Sequence, residues 1–445
     1  MESGRDLDVV IVGAGISGLA AAHELRAAGL SVGILEARDR IGGRIFSAHD
    51  PVCNREIPLG AEFIHGKPPE IWEPLQAAGV AINEAEGDNW CVREGRLCRC
   101  DFFEQVDTIL NKMDEAAPDE SFEQFLARYP AKAASSDEAR KRARQYVSGF
   151  NAAETDKVGV HWLVQQMRAE EKIEGGRVFR PANGYGELLR VFAEKASIRD
   201  GLLRTSTSVS KVVWTEGCVE VTFRDATGSS SLKASRVLIT VPLGVLKAPA
   251  CQLGAIEFVP GLPSRFQNAL NGLEMGKVIR ITLRFQQPFW GKILPPTAGK
   301  TLTNVGFLFT EDELFPTWWT SMPDKVPIIT GWAPVHSAER LSGQSLELVV
   351  EHCVQSLSTS LNLSLPRMKE LLGAAYFHDW QSDPFSRGAY SYGKVGSDEA
   401  TRILAEPIDN TIFFAGEHTD FSGHSGTVHG AIASGVWAAK AILGQ

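Results

Sequence analysis

The sequence predicts an α/β protein, α+β overall, with one domain assembled from discontinuous segments and a second, mixed-sheet domain carrying a helical insertion. Three observations lead there. An apolar strand, Val9 to Val12, runs into a cluster of glycines and then a helix. A second apolar strand, Thr411 to Glu417, stands near the other end of the chain and also leads into a helix. Between them, charged segments of helical spacing give way to stretches that alternate apolar and polar residues. At 445 residues the chain exceeds one ordinary hydrophobic core, so two domains are expected.

The first element is the most specific. Gly13-Ala-Gly15-Ile-Ser-Gly18 follows the strand and opens the helix, and a second strand closes on Glu36. These glycines permit a turn tight enough for a pyrophosphate to approach the backbone. The amide-rich start of the helix at Ile16 points at that pyrophosphate. Glu36 is placed to accept hydrogen bonds from a ribose diol. The expected unit is therefore of Rossmann type. Just beyond, Arg38-Asp-Arg40-Ile-Gly42-Gly43-Arg44 sets two glycines among three arginines, a loop that can lie against a phosphate with Arg44 reaching an oxygen. This second glycine element favours FAD over NAD.

Composition narrows the class. A hydrophobic content of 44% and a charged content of 22% are those of a soluble globular chain. A net charge of −9 argues against general nucleic-acid binding. No apolar run has the length of a membrane span, and the polar, charged residues 1–6 do not begin a signal peptide, so a cytoplasmic location is expected. None of the seven cysteines forms a C-x-x-C pair, so neither a disulfide framework nor a metal site is expected. Cys98-Arg-Cys100 reads as coincidence.

Ile57 to Gly66 is a short apolar segment holding Gly60, Ala61, a carboxylate at Glu62 and an imidazole at His65. A helix follows from about 67 to 80. Between Cys91 and Glu171 helices are expected over Phe102 to Ala116, Ser121 to Tyr129, Asp137 to Phe150 and His161 to Glu171. Ser121-x-x-Gln124 and Asp137-x-x-Arg140 are the start signals. Gly175-Gly176 ends this insertion. A helix through Leu188 to Phe192, alternating strands at Val209 to Trp214 and Cys218 to Phe223, and a buried strand from Arg236 to Pro242 come next.

Gly276 to Phe285 alternates so that Ile279, Ile281, Leu283 and Phe285 share one face, and Lys277 falls on that face. Such a lysine either snorkels to water from the strand end or stands in a cavity beside a reactive centre. Helix Ser345 to Leu361, strand Ala375 to Trp380 and an irregular aromatic loop from Asp383 to Tyr392 follow. The last helix, Thr427 to Leu443, has a stripe of small residues (Gly430, Ser434 and Ala438 beside Ala431, Gly435 and Ala439) suited to lying against a strand or a flat ring. Its N-terminus can stabilise negative charge.

Taken in order, Gly13 to Gly18, Glu36, Gly42-Gly43-Arg44, Gly60-Ala61, Val241 to Leu246, Lys277, Trp380, Arg387 to Tyr392 and Phe414 to Glu417 resemble the flavin-containing amine oxidases, specifically the polyamine oxidase and histone-lysine demethylase branch. The segment 91–174 matches loosely. The resemblance implies an FAD-binding domain over 1–84, 183–254 and 384–445, and a substrate-binding domain over 85–182 and 255–383. It implies Glu36 on the adenosine ribose, Arg38 and Arg44 at the ribose and pyrophosphate, and the backbone of Val209 at the adenine. Gly60 and Ala61 would line the isoalloxazine, with Trp380 also in the flavin site. Glu417 would meet the ribityl chain, and Thr427 and Val428 would face the pyrimidine ring. Lys277 matches a lysine that holds a water near flavin N5. Tyr390 matches an aromatic wall, His65 lines the amine tunnel, and Glu62 or His65 binds a distal ammonium.

Two departures are informative. Ala389 stands where monoamine oxidases carry a flavin-tethering cysteine, so FAD is expected to be non-covalent. Thr427 replaces a second cage tyrosine and begins Thr-Val-His-Gly-Ala431, similar to the polyamine oxidase run. The implied reaction is hydride transfer from an amine to flavin N5, hydrolysis of the imine, and reoxidation by O2 giving H2O2. The alternatives are a monoamine oxidase-like enzyme, an L-amino-acid oxidase that needs an arginine such as Arg168 or Arg180 in the cavity, and a flavin-binding protein without turnover.

Overall fold

A computed structural model describes residues 7–128, 134–198, 203–296 and 299–445. Residues 1–6 and Tyr129, the expected end of one helix, lie outside the described residues. Strand β1 (Leu7–Val12), helix α1 (Ile16–Ala27) and strand β2 (Val32–Leu35) form a parallel βαβ unit. Val10 and Val12 pack into one core while Val9 and Ile11 pack into another. Both faces of β1 are covered, which is why its apolar run is continuous rather than alternating.

β1 also pairs in parallel with the strand Gly228–Ile239, and that strand pairs in parallel with Ile412–Phe414. Parallel pairing gives these segments a common end. Gly13, Glu36, Thr240 and Gly416-Glu417 all emerge at the carboxyl edge of the sheet, the edge at which open parallel sheets bind ligands. An antiparallel hairpin, Ser208–Thr215 with Cys218–Asp225, continues this sheet, which has eight strands in all among the described residues. The strand Glu257–Val259 joins it beside Ser208–Thr215, although it falls beyond residue 254.

The second large sheet has seven strands. They are drawn from 88–99 and from 278–377, and mix parallel and antiparallel pairs. Between the two strands of its first hairpin and the rest lies the helical insertion: α2 (Phe102–Leu110), Phe122–Arg128, α3 (Ala134–Phe150) and α4 (Val160–Glu171). The first helix stops at Leu110, short of Ala116; beyond it the Asp114 carboxylate accepts the Ala116 amide in a turn. The Ser121–Gln124 capping box forms, each side chain bonding the other's backbone amide. Asp137 does not start α3; it lies one turn inside it.

Strand β3 (Val278–Phe285) is central to this sheet. Ile279, Ile281, Leu283 and Phe285 face a core shared with the helices Leu346–Ser360 and Leu365–Leu371. The cysteine expectation is corrected here. Cys91 and Cys100 are joined by a disulfide across the hairpin Asp88–Arg93/Arg96–Arg99. Their proximity comes from strand pairing, which a search for short cysteine spacings does not detect. No helix among the described residues is long and apolar enough to cross a membrane.

Candidate active site

One cavity of about 1080 Å³ runs from the carboxyl edge of the parallel sheet to the helical insertion. Gly13, Gly15, Glu36, Arg38, Gly43, Arg44 and Val209 line its inner end. α1 starts at Gly15 with no side-chain cap, so its first amides are left for a ligand. A Cβ built on Gly15 would meet no protein atom within 4 Å, which leaves room there for an approaching phosphate. Gly18 differs: a Cβ there would collide with the Gly13 carbonyl oxygen, and Gly18 does not line the cavity. Its part is the tight turn and not contact with a ligand. Glu36 accepts the Ala14 amide at 2.8 Å on one oxygen and the Arg38 amide at 2.9 Å on the other, which fixes the carboxylate in place. Arg44 donates to Ala389 O at 2.8 Å and to Glu417 at 2.7 Å. The other Glu417 oxygen takes the Ser391 hydroxyl (2.5 Å) and the Gly426 amide (3.1 Å). Glu417 therefore holds Arg44 and the loop before the last helix.

That helix, α5 (Val428–Leu443), is capped by Thr427, whose hydroxyl accepts the Gly430 amide at 3.0 Å. Thr427 and Val428 line the cavity. The small-residue stripe is filled by α1 and the 416 loop rather than by a ring. A Cβ on Gly435 would collide with the Ser17 carbonyl, and the Ser434 hydroxyl accepts the Gly416 amide. Trp380 donates to Leu59 O at 2.8 Å and lies against Gly60, where a Cβ would sit 3.2 Å from its ring. Tyr390 faces the cavity and donates to Phe150 O at 2.7 Å, tying the site to the end of α3. His65 stands edge-on to Phe150 with ring centres 5.0 Å apart, and burial pushes its imidazole down to about 4, so it is neutral at pH 7.

A matching family model, described as flavin containing amine oxidoreductase, covers residues 104–443. The chain belongs to the flavin-containing amine oxidoreductase family. A second model, an NAD(P)-binding Rossmann-like domain, covers residues 11–78. Among similar proteins, polyamine oxidase 4 of Oryza sativa subsp. japonica is 29% identical, covering 98% of this chain and 89% of its own. Lysine-specific histone demethylase 1 homolog 2 of Arabidopsis thaliana is 28% identical over 99% of this chain and 59% of its own. The structure of a wild-type putrescine oxidase bound to putrescine superposes with a TM-score of 0.80 at 23% identity, covering 99% of this chain and all of that one, a likeness of fold. The cofactor of this amine oxidoreductase is FAD, and the inner end of the cavity fits it: an open glycine cradle, uncapped helix amides and a paired arginine.

Two expected site residues of the amine oxidoreductase need correction. Lys277 does not line the cavity. Its ammonium pairs with Glu339 at the surface, with 40% of the side chain exposed. The register expectation was right, but the face shared with Ile279 and Ile281 packs on helices and not on the cavity. The opposite face presents Val278 and Arg280 to the cavity. Glu62 lines the cavity but is unsuited to a distal ammonium. Arg180 reaches one of its oxygens at 2.7 Å, while Arg280 (2.5 Å) and Trp319 (3.0 Å) reach the other. Burial raises the cost of its charge, yet the two guanidinium groups outweigh this and hold its carboxyl below the usual range.

Arg280 is the functional residue that sequence reasoning missed. It is 5% exposed, donates to Gly60 O at 2.9 Å, and its Nε is buried with no hydrogen-bond partner among the described residues. No distinct signal marks it in the sequence: the face opposite Ile279 and Ile281 reads Val278, Arg280, Thr282 and Arg284, the ordinary polar side of an alternating strand, and only the fold buries it. Arg168 pairs with Glu115 at the surface, and Arg180 is spent on Glu62, Met322 O and Thr320 O. Neither is the cavity arginine that an amino-acid oxidase requires.

Proposed function

We propose that the protein oxidises the C–N bond of a primary or secondary amine, polyamines included, with non-covalently bound FAD as oxidant and O2 as final acceptor. The observation that carries this is the continuity of one cavity from a dinucleotide cradle to an aromatic chamber bearing a neutral imidazole. When bound, FAD supplies the two-electron oxidation, accepting a hydride equivalent at N5 and passing the electrons to O2 as H2O2. Ala389, in the place of a tethering cysteine, supports non-covalent binding.

The chain's own residues then have three tasks. Tyr390, held through its hydroxyl by Phe150 O, presents a fixed ring against which the amine substituents pack. His65 is neutral and can accept an N–H of the amine without repelling it. Arg280 and Arg180 together carry one more positive charge than Glu62 neutralises, and this excess disfavours the ammonium form beside Gly60 and Ala61. The reacting amine is thereby kept in its oxidisable, neutral form. The imine product hydrolyses in water to a carbonyl compound and an amine.

A peroxide assay with spermine, spermidine, benzylamine, tryptamine and L-amino acids tests the proposal. Amine-dependent H2O2 with little from amino acids is expected, and none from any amine refutes it. One observation favours a second reading, L-amino-acid oxidation: the buried, unpartnered Nε of Arg280 could pair a substrate carboxylate. Peroxide from L-amino acids alone would establish that reading in its place.

A further inference from the structure

We propose that His429 and His424 form the path by which a proton leaves the cavity for solvent while the amine is oxidised; this rests on the amine-oxidase reading above. His429 stands on the first turn of α5, is 4% exposed and lines the cavity. His424, in the loop before that helix, does not line the cavity and is partly exposed. The two rings meet edge to face with centres 4.6 Å apart. The pair thus leads from the chamber to the outside. His424 Nδ1 and His429 Nε2 are both buried with no hydrogen-bond partner among the described residues. A buried ring nitrogen left unbonded is costly, and one water between the rings, accepting from one and donating to the other, serves both.

Local structure sets this contact. The Asp420 carboxylate accepts the His424 amide at 2.9 Å. Thr427 donates its hydroxyl to the His424 carbonyl at 2.6 Å while accepting the Gly430 amide. A Cβ on Gly430 would collide with that carbonyl oxygen, so glycine is needed for the loop to lie so close on the helix. His424 is thereby held through both its amide and its carbonyl. Burial is the main influence on both imidazoles and lowers both from their usual range, so both are neutral at pH 7. A neutral imidazole has one N–H and one free lone pair, and it can take a proton at one nitrogen while releasing one from the other. The titratable groups within electrostatic reach are Asp420 and Lys172 for His424, His65 for His429, and Glu70 beside Asp420. The chemistry needs such a path. An alkylammonium that becomes an iminium ion loses a hydride from carbon, accepted with its electron pair by FAD, and a proton from nitrogen, which must reach water.

The test uses FAD-loaded wild type, His424→Ala and His424→Gln, with whichever of spermine, spermidine and benzylamine reduces the wild type fastest. The two are mixed anaerobically in weak buffer with a pH-indicator dye, so that flavin bleaching and proton release are followed together. Proton release should keep pace with bleaching in wild type and slow at least about tenfold in both variants. Added imidazole should restore it in His424→Ala, and pyrazole, a far weaker base of the same shape, should not. Wild-type rates of proton release in the variants overturn the inference, as does a slowing that imidazole leaves unchanged. Histidine-selective 15N spectra of the wild-type holoenzyme judge the pair without turnover. As the pH is lowered through the titration of His424, the His429 nitrogens should shift with it, and a His429 that stays flat overturns the inference. Failure of every amine to reduce the flavin would instead overturn the amine-oxidase reading, and the spectra would still judge the imidazole pair.

Discussion

Replacing Glu62 by glutamine isolates the energetics of the site. The carboxylate accepts from Arg180, Arg280 and Trp319 and is 9% exposed, with the Arg280 side chain at 5%. Glutamine keeps the shape but turns one acceptor into a donor facing a guanidinium, and it leaves two buried cations without their counter-charge. Breaking a buried pair by removing one partner costs about 3–5 kcal/mol. At about 1 °C per kcal/mol for a chain of 445 residues, the thermal midpoint should fall by roughly 3–5 °C. The assay is a thermal scan following release of flavin fluorescence, which reports on the domain interior at this site. Glu115→Gln is the control, because its partner Arg168 is half exposed, and the expected loss there is below about 1 kcal/mol. Equal midpoints for Glu62→Gln and Glu115→Gln would refute the argument that burial of the Arg180–Glu62–Arg280 network, and not its ion pairing alone, sets its strength.

Further outcomes are expected. Lys277→Met should retain FAD and reduce it with amine at a rate within about twofold of wild type, because the surface pair with Glu339 contributes little, whereas Arg280→Met should slow reduction at least about tenfold; stopped-flow traces decide both. Gly15→Ala should fold normally yet lose FAD affinity, since its methyl would enter space left for the ligand, while Gly18→Ala should destabilise the fold itself; circular dichroism and the ratio of flavin to protein absorbance separate the two. The His65 pKa is lowered from about 6.5 to about 4, so the neutral ring's contribution to stability is complete above pH 6.5 and is lost as the pH falls towards 4. His65→Gln should therefore flatten the stability profile in that window by roughly 3 kcal/mol, measured by denaturant unfolding at several pH values. A wild-type-like slope in the variant would show that other groups dominate there.

Local sequence was enough to establish the elements whose geometry is set within a few residues. The turn Gly13 to Gly18, the strand-end acid Glu36, the capping box at Ser121 and the cap at Thr427 are all built from near neighbours, and their chemistry can be read from residue type and spacing. The family likeness added Tyr390, Trp380, Gly60 and Ala61, which do meet in one cavity although more than three hundred residues separate them. Tertiary structure decided what depends on which face meets which partner. Alternation correctly put Lys277 in register with Ile279, but the neighbour of each face of β3 is chosen by sheet packing, so Arg280 rather than Lys277 reaches the cavity. Glu62 looked like a free acid until distant strands brought it Arg180 and Arg280. Cys91 and Cys100 were brought together by the hairpin, whose register sets Cys91 opposite Cys98 and leaves Cys100 just past the strand end. A pair interaction across the fold depends on burial and on the whereabouts of the nearest opposite charge, and neither is a property of local sequence.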